Sequence, residues 1–317
     1  MYLVRSGDVI WDCRLRGRLK AKRQRLSDIS VCVGDHVELD KLDLLSGTAL
    51  ISEILPRKSS LFRLAPPPWP GTTLIPQVLA VNVDFVVAVA AAVAPPLKIT
   101  TIDRYLLLAR QAEIEPAVCI NKVDQAGIDL ETGAGLEGDG GPAANNVLAV
   151  KRALEARGVR VLLASAATGQ GVEALRSLLH GKTSVFAGPS GVGKTSLLKC
   201  ICPNLESKTL AISSTTGKGR HSTTYSSLID IGGGYVADLP GLRAVGFWNL
   251  DEETVKSEFE DIDAVAAGCR FNDCSHTHEP GCAVKAAVDA GDLDKARYRE
   301  YLRVMRETVS KNRRRPG

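Results

Sequence analysis

Aromatic residues are scarce in this chain: Phe, Trp and Tyr together make up 5% of its 317 residues. Hydrophobic residues still reach 44%, so the cores must be aliphatic. Also missing is any apolar run of the roughly 18 residues that a membrane helix needs. The longest candidate, Phe85 to Pro96, is short and rich in Ala and Val, which suits a buried strand. The first residues lack the basic, apolar and small-residue pattern of a secretion signal, so a cytoplasmic protein with no membrane association is expected. There is no disulfide framework either. Cys13, Cys32, Cys119, Cys200 and Cys202 lie scattered in apolar or mixed settings and read as small buried residues. The other three cysteines crowd between 269 and 282, which fits a reducing compartment and a metal site. Net charge is small, at +4, yet the basic residues cluster. One run holds Arg14, Arg16, Arg18, Lys20, Lys22, Arg23 and Arg25, and a second holds Lys311, Arg313, Arg314 and Arg315. Two separate clusters point to contacts with nucleic-acid phosphates.

The length allows two or three domains. From residue 1 to about 64, short alternating stretches (Gly7–Arg14, Ile29–Val33, His36–Leu39, Gly47–Leu55) are separated by turn residues such as Gly34-Asp35 and Ser46-Gly47. This pattern predicts a small β-barrel, and the basic run favours an OB-type one. A proline-rich linker, Ala65 to Gly71, then marks the way into a second domain. Beyond it, strands at Val83–Val89, Ala117–Ile120, Val159–Ala164 and Thr183–Ala187 alternate with helices at Thr101–Ala112, Ala149–Arg157, Val172–Leu179 and Thr195–Cys202. Such alternation predicts a mainly parallel α/β sheet. Gly127–Asn146 reads as a Gly-rich surface excursion, and from about 250 the chain is helical again, interrupted by the cysteines. The expected division is 1–64, linker 65–77, 78–249 and 250–317.

Residues Gly188, Pro189, Ser190, Gly191, Val192, Gly193, Lys194 and Thr195 fit the phosphate-loop pattern G-x-x-x-x-G-K-[ST] between a predicted strand and a predicted helix. Glycines let the backbone N–H groups turn inward around phosphate oxygens, and the helix that follows brings its positive end. Lys194 is expected on the β- and γ-phosphates and the Thr195 hydroxyl on Mg2+. Asn121, Lys122, Val123 and Asp124 end an apolar strand as N-K-x-D, in which a carboxylate accepts both N1–H and N2–H of guanine. Adenine has no such donor pair, which disfavours an ATP-using enzyme. Ser165-Ala166-Ala167 also ends a strand and offers a backbone N–H to the guanine O6. The order is inverted, because in an ordinary GTPase the phosphate loop precedes the guanine motif.

Asp238-Leu239-Pro240-Gly241 matches D-x-x-G, with Asp238 expected to hold Mg2+ through water and the Gly241 N–H to meet the γ-phosphate. The polar, Gly-rich stretch Thr215 to Tyr225 between the two motifs suits a switch loop ordered by nucleotide. Thr223 or Thr224, with Thr224 preferred, is the expected magnesium-contacting threonine. Leu242 stands where Ras-like enzymes place a water-orienting glutamine, and an alkyl group cannot orient water. Hydrolysis unaided should therefore be slow, or another group acts, with His221 in the switch loop the candidate. Further on, Cys269, Cys274, His276 and Cys282 supply three thiolates and one imidazole, a closed tetrahedral zinc set of structural type. His278 competes with His276 for the fourth place.

With these pieces placed, the chain resembles the RsgA (YjeQ) family of circularly permuted GTPases over nearly its whole length. The resemblance is carried by Leu15-Arg16-Gly17-Arg18-Leu19, Val33-Gly34-Asp35, Asn121 to Asp124, Gly188 to Ser196, Gly219-Arg220-His221-Ser222-Thr223-Thr224, Asp238 to Gly241, the zinc set and Pro280-Gly281-Cys282-Ala283-Val284. It implies an N-terminal OB-fold barrel, a central permuted P-loop GTPase and a C-terminal helical zinc-binding domain. It also implies a GTP-hydrolysing factor that binds the 30S ribosomal subunit and 16S-type rRNA in late maturation and leaves after hydrolysis. Its pattern places His276 rather than His278 in the zinc set and gives the switch-loop histidine, His221, a hydrolytic role. Zinc and magnesium are the implied metals, and a monomer is expected. The chain departs from the family in having Leu239 where threonine is usual and in the glycine content of 127–146. The competing reading is a zinc-containing RNA-binding protein that uses GTP only as a structural or sensing ligand.

Overall fold

The computed structural model describes residues 2–17, 19, 31–65, 75–136, 140–203, 227–239 and 252–312. The N-terminal module is a four-stranded sheet of β1 (Tyr2–Ser6), β2 (Val9–Leu15), β3 (Val37–Asp43) and β4 (Thr48–Ile54). Its order is β1-β2-β4-β3, with β2 and β4 parallel and the other pairs antiparallel. β3 is bulged between Asp40 and Asp43. The inward residues of this sheet, Trp11, Cys13, Ala49 and Ile51, form a small core of their own. β1 had no sequence expectation. Residues 31–33 of the expected strand Ile29–Val33 are not extended into the sheet, and its first two residues lie outside the described chain.

Next, β5 (Ser60–Ala65) and β6 (Ile75–Val81) pair as an antiparallel hairpin. The two ends of the proline-rich stretch therefore lie side by side. The hairpin and the first sheet are tied at Val33-Gly34-Asp35. The Val81 N–H donates to the Val33 carbonyl at 3.0 Å. A Cβ on Gly34, whose φ is +92°, would stand 2.1 Å from the Val81 carbonyl oxygen, so this position requires glycine. Asp35 accepts from the Cys32 N–H and from both Nε and Nη2 of Arg57.

The central sheet has the order β11-β12-β10-β7-β8-β9, formed by β7 (Phe85–Ala91), β8 (Glu115–Asn121), β9 (Arg160–Leu163), β10 (Thr183–Ala187), β11 (Ser227–Asp230) and β12 (Tyr235–Asp238). All pairs are parallel except β11 with β12. A central parallel strand is covered on both faces, and every residue of β7 is buried. On one face Val87, Val89 and Ala91 meet α3 (Val172–Leu179) and α4 (Lys194–Ile201). On the other, Ala88 and Ala90 meet α1 (Ile99–Gln111) and α2 (Pro142–Glu155). The helix expected from Ala149 starts seven residues earlier, because Gly141 and Pro142 form a favourable helix start. The sheet is thus built outward from β10, with β12 and β11 on one side and β7, β8 and β9 on the other. The second half comes first in the chain, which accounts for the inverted motif order.

The C-terminal module contains α5 (Glu252–Glu258), α6 (Glu260–Ala266), α7 (Ala283–Ala290) and α8 (Lys295–Asn312). It packs on α1, whose Leu107 belongs to its core together with Phe259, Ile262 and Val304. The junction is also ionic. Asp103 of α1 has no exposure and accepts from Arg157 and from Arg297, each at 2.8 Å. Arg297 pairs through Nε and Nη2 with Asp261, and its guanidinium lies 4.6 Å from the centre of the Phe259 ring. Glu258, also buried, meets Arg110 at 2.9 Å and Arg157. Burial would raise the Asp261 carboxyl, but its bonds to Arg297 bring it below the ordinary value. Removing one member of a buried ionic set strands the others in a desolvated site and costs ~3–5 kcal/mol. Asp103→Ala should lower the denaturant midpoint accordingly, and an unchanged midpoint in a urea melt would contradict this account of the junction.

Candidate guanine-nucleotide site and metal centre

The parallel strands end along one edge of the central sheet, and in open α/β sheets ligands bind outside that edge. β10 ends at Ala187 and passes through 188–193 into α4, so the phosphate-loop residues sit between a strand and a helix N-terminus. Gly188, Gly191 and Gly193 all have positive φ. Gly193 carries the tightest constraint, because a Cβ there would lie 2.2 Å from Nδ2 of Asn121. The Lys194 ammonium donates to the carbonyls of Gly188 and Pro189, both at 2.7 Å. It therefore lies along the inner rim of the loop. Thr195 and Ser196 are exposed on the first turn of α4.

Asn121, at the end of β8, is buried and bonds in two directions. Its Nδ2 donates to the Val192 carbonyl at 2.9 Å, and its Oδ1 accepts from the Ala166 N–H at 3.0 Å. One amide thus ties the phosphate loop to the Ser165-Ala166 turn after β9. Lys122, in the left-handed region at φ 63°, stretches its ammonium to the Ala94 and Gly191 carbonyls. Val123 is buried and starts a short 3-10 helix, Val123–Ala126, which presents Asp124. Oδ1 of Asp124 is buried and has no hydrogen-bond partner among the described residues. A buried carboxylate oxygen without a donor is costly, and the N–H pair of a guanine edge would satisfy it.

The Ser165 N–H donates to the Gln170 carbonyl, and the Ser165 hydroxyl accepts from the Thr168 N–H. With the Ala166 N–H given to Asn121, the exposed Ala167 carries the N–H of this turn that has no hydrogen bond among the described residues. Two residues without a sequence signal brace the pocket. Gln170 bonds Asp129 through Nε2 and the Leu130 N–H through Oε1, joining the two guanine-side loops. Asp129 in turn accepts from the N–H groups of Glu131 and Thr132.

Asp238 ends β12 beside β10 at the same edge, and desolvation raises its carboxyl above the ordinary value. His221, Thr223, Thr224, Gly241 and Leu242 lie outside the described residues.

Cys269, Cys274, His276 and Cys282 converge in the C-terminal module, with their donor atoms all within 4.8 Å of one another. Sγ of Cys269 and Sγ of Cys282 are each 3.5 Å from His276 Nδ1 and 3.9 Å from each other. A tetrahedral zinc with Zn–S of ~2.3 Å and Zn–N of ~2.0 Å requires about 3.8 Å between sulfurs and about 3.5 Å from sulfur to nitrogen. The donor set fits. Burial opposes ionisation of Cys269, but the N–H groups of Val284 and Ala283 at the start of α7 more than offset it and bring the thiol below its ordinary value. His276 is buried in a left-handed conformation and packs 6.0 Å from Tyr301, and its carbonyl accepts from the Tyr298 hydroxyl. Glu279 accepts from the Ser275 hydroxyl, which does most to hold its carboxyl well below the usual range, and gathers the Ser275, Thr277 and His278 N–H groups, which closes the knuckle. The His278 side chain is 86% exposed and is not in the donor set.

The comparisons agree across the whole chain. Residues 54–248 match the family described as RsgA GTPase. A protein from Moorella thermoacetica named small ribosomal subunit biogenesis GTPase RsgA is 37% identical over 313 residues, covering 98% of this chain and 95% of its own length. The crystal structure of YjeQ from Thermotoga maritima aligns with a TM-score of 0.63 at 29% identity, covering 95% of this chain and 90% of that one. YloQ, described as a circularly permuted GTPase, aligns with a TM-score of 0.62 at 30% identity over 98% and 89% of the two chains. With a family match over more than half of its residues and relatives at 37% identity along nearly all of its length, the chain belongs to the RsgA GTPase family.

Proposed function

We propose that this protein is a GTP-hydrolysing factor of late small-subunit (30S) ribosome maturation, acting in the cytoplasm as a monomer and released after hydrolysis stimulated by the particle. The observation that carries the nucleotide part is the buried, partnerless Oδ1 of Asp124 at the same sheet edge as the glycine-lined loop. Relatives named as small ribosomal subunit biogenesis GTPases, at 37% and 36% identity, support the particle as partner. Under this reading the chain divides at 1–64, 65–77, 78–249 and 250–317. The first part is an OB-type barrel whose basic run meets rRNA, as does the basic tail.

Within the site, Asn121, Lys122, Val123 and Asp124, with Ser165 and Ala166, hold the guanine. Gly188 to Ser196 wrap the phosphates, with Lys194 turning from its loop carbonyls to the β- and γ-oxygens. Mg2+ would supply positive charge against the charge that develops on the phosphates. Thr195, Thr224 and Asp238 hold it, and the Gly241 N–H meets the γ-phosphate. His221 orients the attacking water, which Leu242 is unable to do. Zinc is held by Cys269, Cys274, His276 and Cys282 with no open position, so it shapes the C-terminal module and takes no part in chemistry.

Three outcomes test this. Purified small subunits should accelerate GTP turnover where large subunits do not, and His221→Ala should reduce the stimulated rate about a hundredfold, within the range of a lost general base. Equal turnover with and without small subunits would remove the central claim. Asp124→Asn should shift preference from GTP towards XTP in competition binding, since an amide cannot accept two N–H bonds, and unchanged selectivity would sink the assignment. Metal analysis should find about one zinc per chain, and His276→Ala should lose it together with much of the C-terminal module's protection from proteolysis, because a structural metal supplies folding free energy.

A further inference from the structure

The first part of the glycine-rich excursion, residues 127–136, is a folded unit with its own hydrogen bonds. The Asp129 N–H donates to the Ala134 carbonyl, and the Asp129 carbonyl accepts from the Gly133 N–H, both at 3.0 Å. Oδ1 of Asp129 accepts from the Glu131 and Thr132 N–H groups at 2.9 and 3.2 Å. These bonds, Glu131 first, hold the Asp129 carboxyl below its ordinary value. A Cβ on Gly135, whose φ is +76°, would stand 2.5 Å from the Gly127 carbonyl oxygen, so the loop closes on itself only with glycine there. The unit is also continuous with the 3-10 helix that presents Asp124. The Gly127 N–H donates to the Asp124 carbonyl and the Ile128 N–H to the Val123 carbonyl, each at 3.1 Å, and Ile128 is buried. A shift of the outer loop therefore carries Asp124 with it.

Gln170 fastens this unit to the turn that follows β9. Its Nε2 donates to Asp129 Oδ1 at 2.9 Å, and its Oε1 accepts from the Leu130 N–H at 3.0 Å. On the other side its carbonyl accepts from the Ser165 N–H at 2.9 Å, and its N–H reaches Thr168 Oγ1 at 3.4 Å. All four polar groups of one residue are engaged, two with each segment. Asn121 makes a second tie between the same two segments, through Oδ1 and the Ala166 N–H at 3.0 Å. In the chain, Asp124 lies between Asn121 and Asp129, and Ala167 lies between Ala166 and Gln170. Each half of the guanine-facing frame is thus held at both of its ends. A guanine edge presents N1–H and N2–H to an acceptor and O6 to a donor at a fixed separation. We propose that Gln170 is a positioning residue for guanine recognition: by docking the 127–136 loop through Asp129, it sets the separation of the Asp124 carboxylate from the 165–167 turn. A separation fixed in advance removes an ordering cost from binding. The inference rests on the guanine site of the proposed function and assigns this loop a task within it.

The test compares GDP with inosine diphosphate, whose base lacks the N2 amino group, by titration calorimetry on the full-length protein. Gln170→Ala should weaken GDP binding about tenfold, the scale of one or two lost hydrogen bonds. Inosine diphosphate should lose less, so that the preference for GDP shrinks. In turnover assays the KM for GTP should rise with kcat little changed, the mark of lost ground-state binding. An equal loss for both nucleotides, as a loosened fold would give, or no loss at all, overturns the inference. A second pair of variants separates the contact from folding. Gln170→Glu sets a carboxylate against Asp129 and should also reduce the preference for GDP. Adding Asp129→Asn restores an amide–carboxylate pair with the roles exchanged and should recover most of it. A double variant no better than Gln170→Glu alone overturns the inference. Asp124→Asn is the control. If it brings no shift towards XTP, the guanine site itself is misassigned. If it brings that shift while Gln170→Ala binds as wild type does, the positioning role alone fails.

Discussion

The side-chain amide of Asn121 is the link on which the nucleotide site depends. It holds the Val192 carbonyl on one side and the Ala166 N–H on the other, so the phosphate loop and the guanine turn have a fixed spacing before any ligand arrives. A nucleotide needs both ends of its site at once, and pre-setting their distance removes an ordering cost from binding. The amide can lie there only because residue 193 has no Cβ. The glycine usually explained by phosphate approach is required here for contact with the base-recognition strand.

Much of this was legible in the sequence because motif residues carry their own context. The loop at 188–195 sits where an apolar strand becomes a helix, and N-K-x-D sits where another apolar strand ends, as the fold bears out. The metal donors were legible for the same reason: few combinations of thiols and imidazoles at such spacing have another use. Choosing His276 over His278 needed the family pattern, and the choice is visible in burial, with one ring inside the cluster and the other in solvent. Short polar braces were not legible. Gln170 and Asp129 acquire their role only when the two loops are brought side by side, and nothing local distinguishes them from other surface residues. The hairpin spanning the proline-rich stretch escaped for a similar reason, since prolines argue for an extended spacer until the pairing of Ala65 with Ile75 is seen. In the N-terminal module the described residues form a mixed four-stranded sheet, and residues 20–30 of the predicted barrel lie outside them.

α1 is the element where the parts of the molecule meet. Ile102 and Leu106 face the central sheet, Leu108 and Ala109 face the hairpin, and Leu107 with Asp103 faces the C-terminal module. A helix buried on most of its circumference cannot move without disturbing all three neighbours. Displacement of the C-terminal module against the GTPase would therefore be felt along a helix that starts beside the phosphate loop, with Pro95 and Ile102 near Pro189 and Val192.

The ionic junction sets a timetable for synthesis. Asp103 and Arg297 are separated by 194 positions, so a ribosome making this chain releases the carboxylate long before its second guanidinium exists. Until then Asp103 has Arg157 for company, and the face of α1 that will be covered is still wet. The GTPase can close its sheet in that interval, but its docking face is not neutralised until α8 has left the exit tunnel. Chains that stop before Arg297 therefore present hydrated charge on α1 where the finished protein has a buried ionic seam.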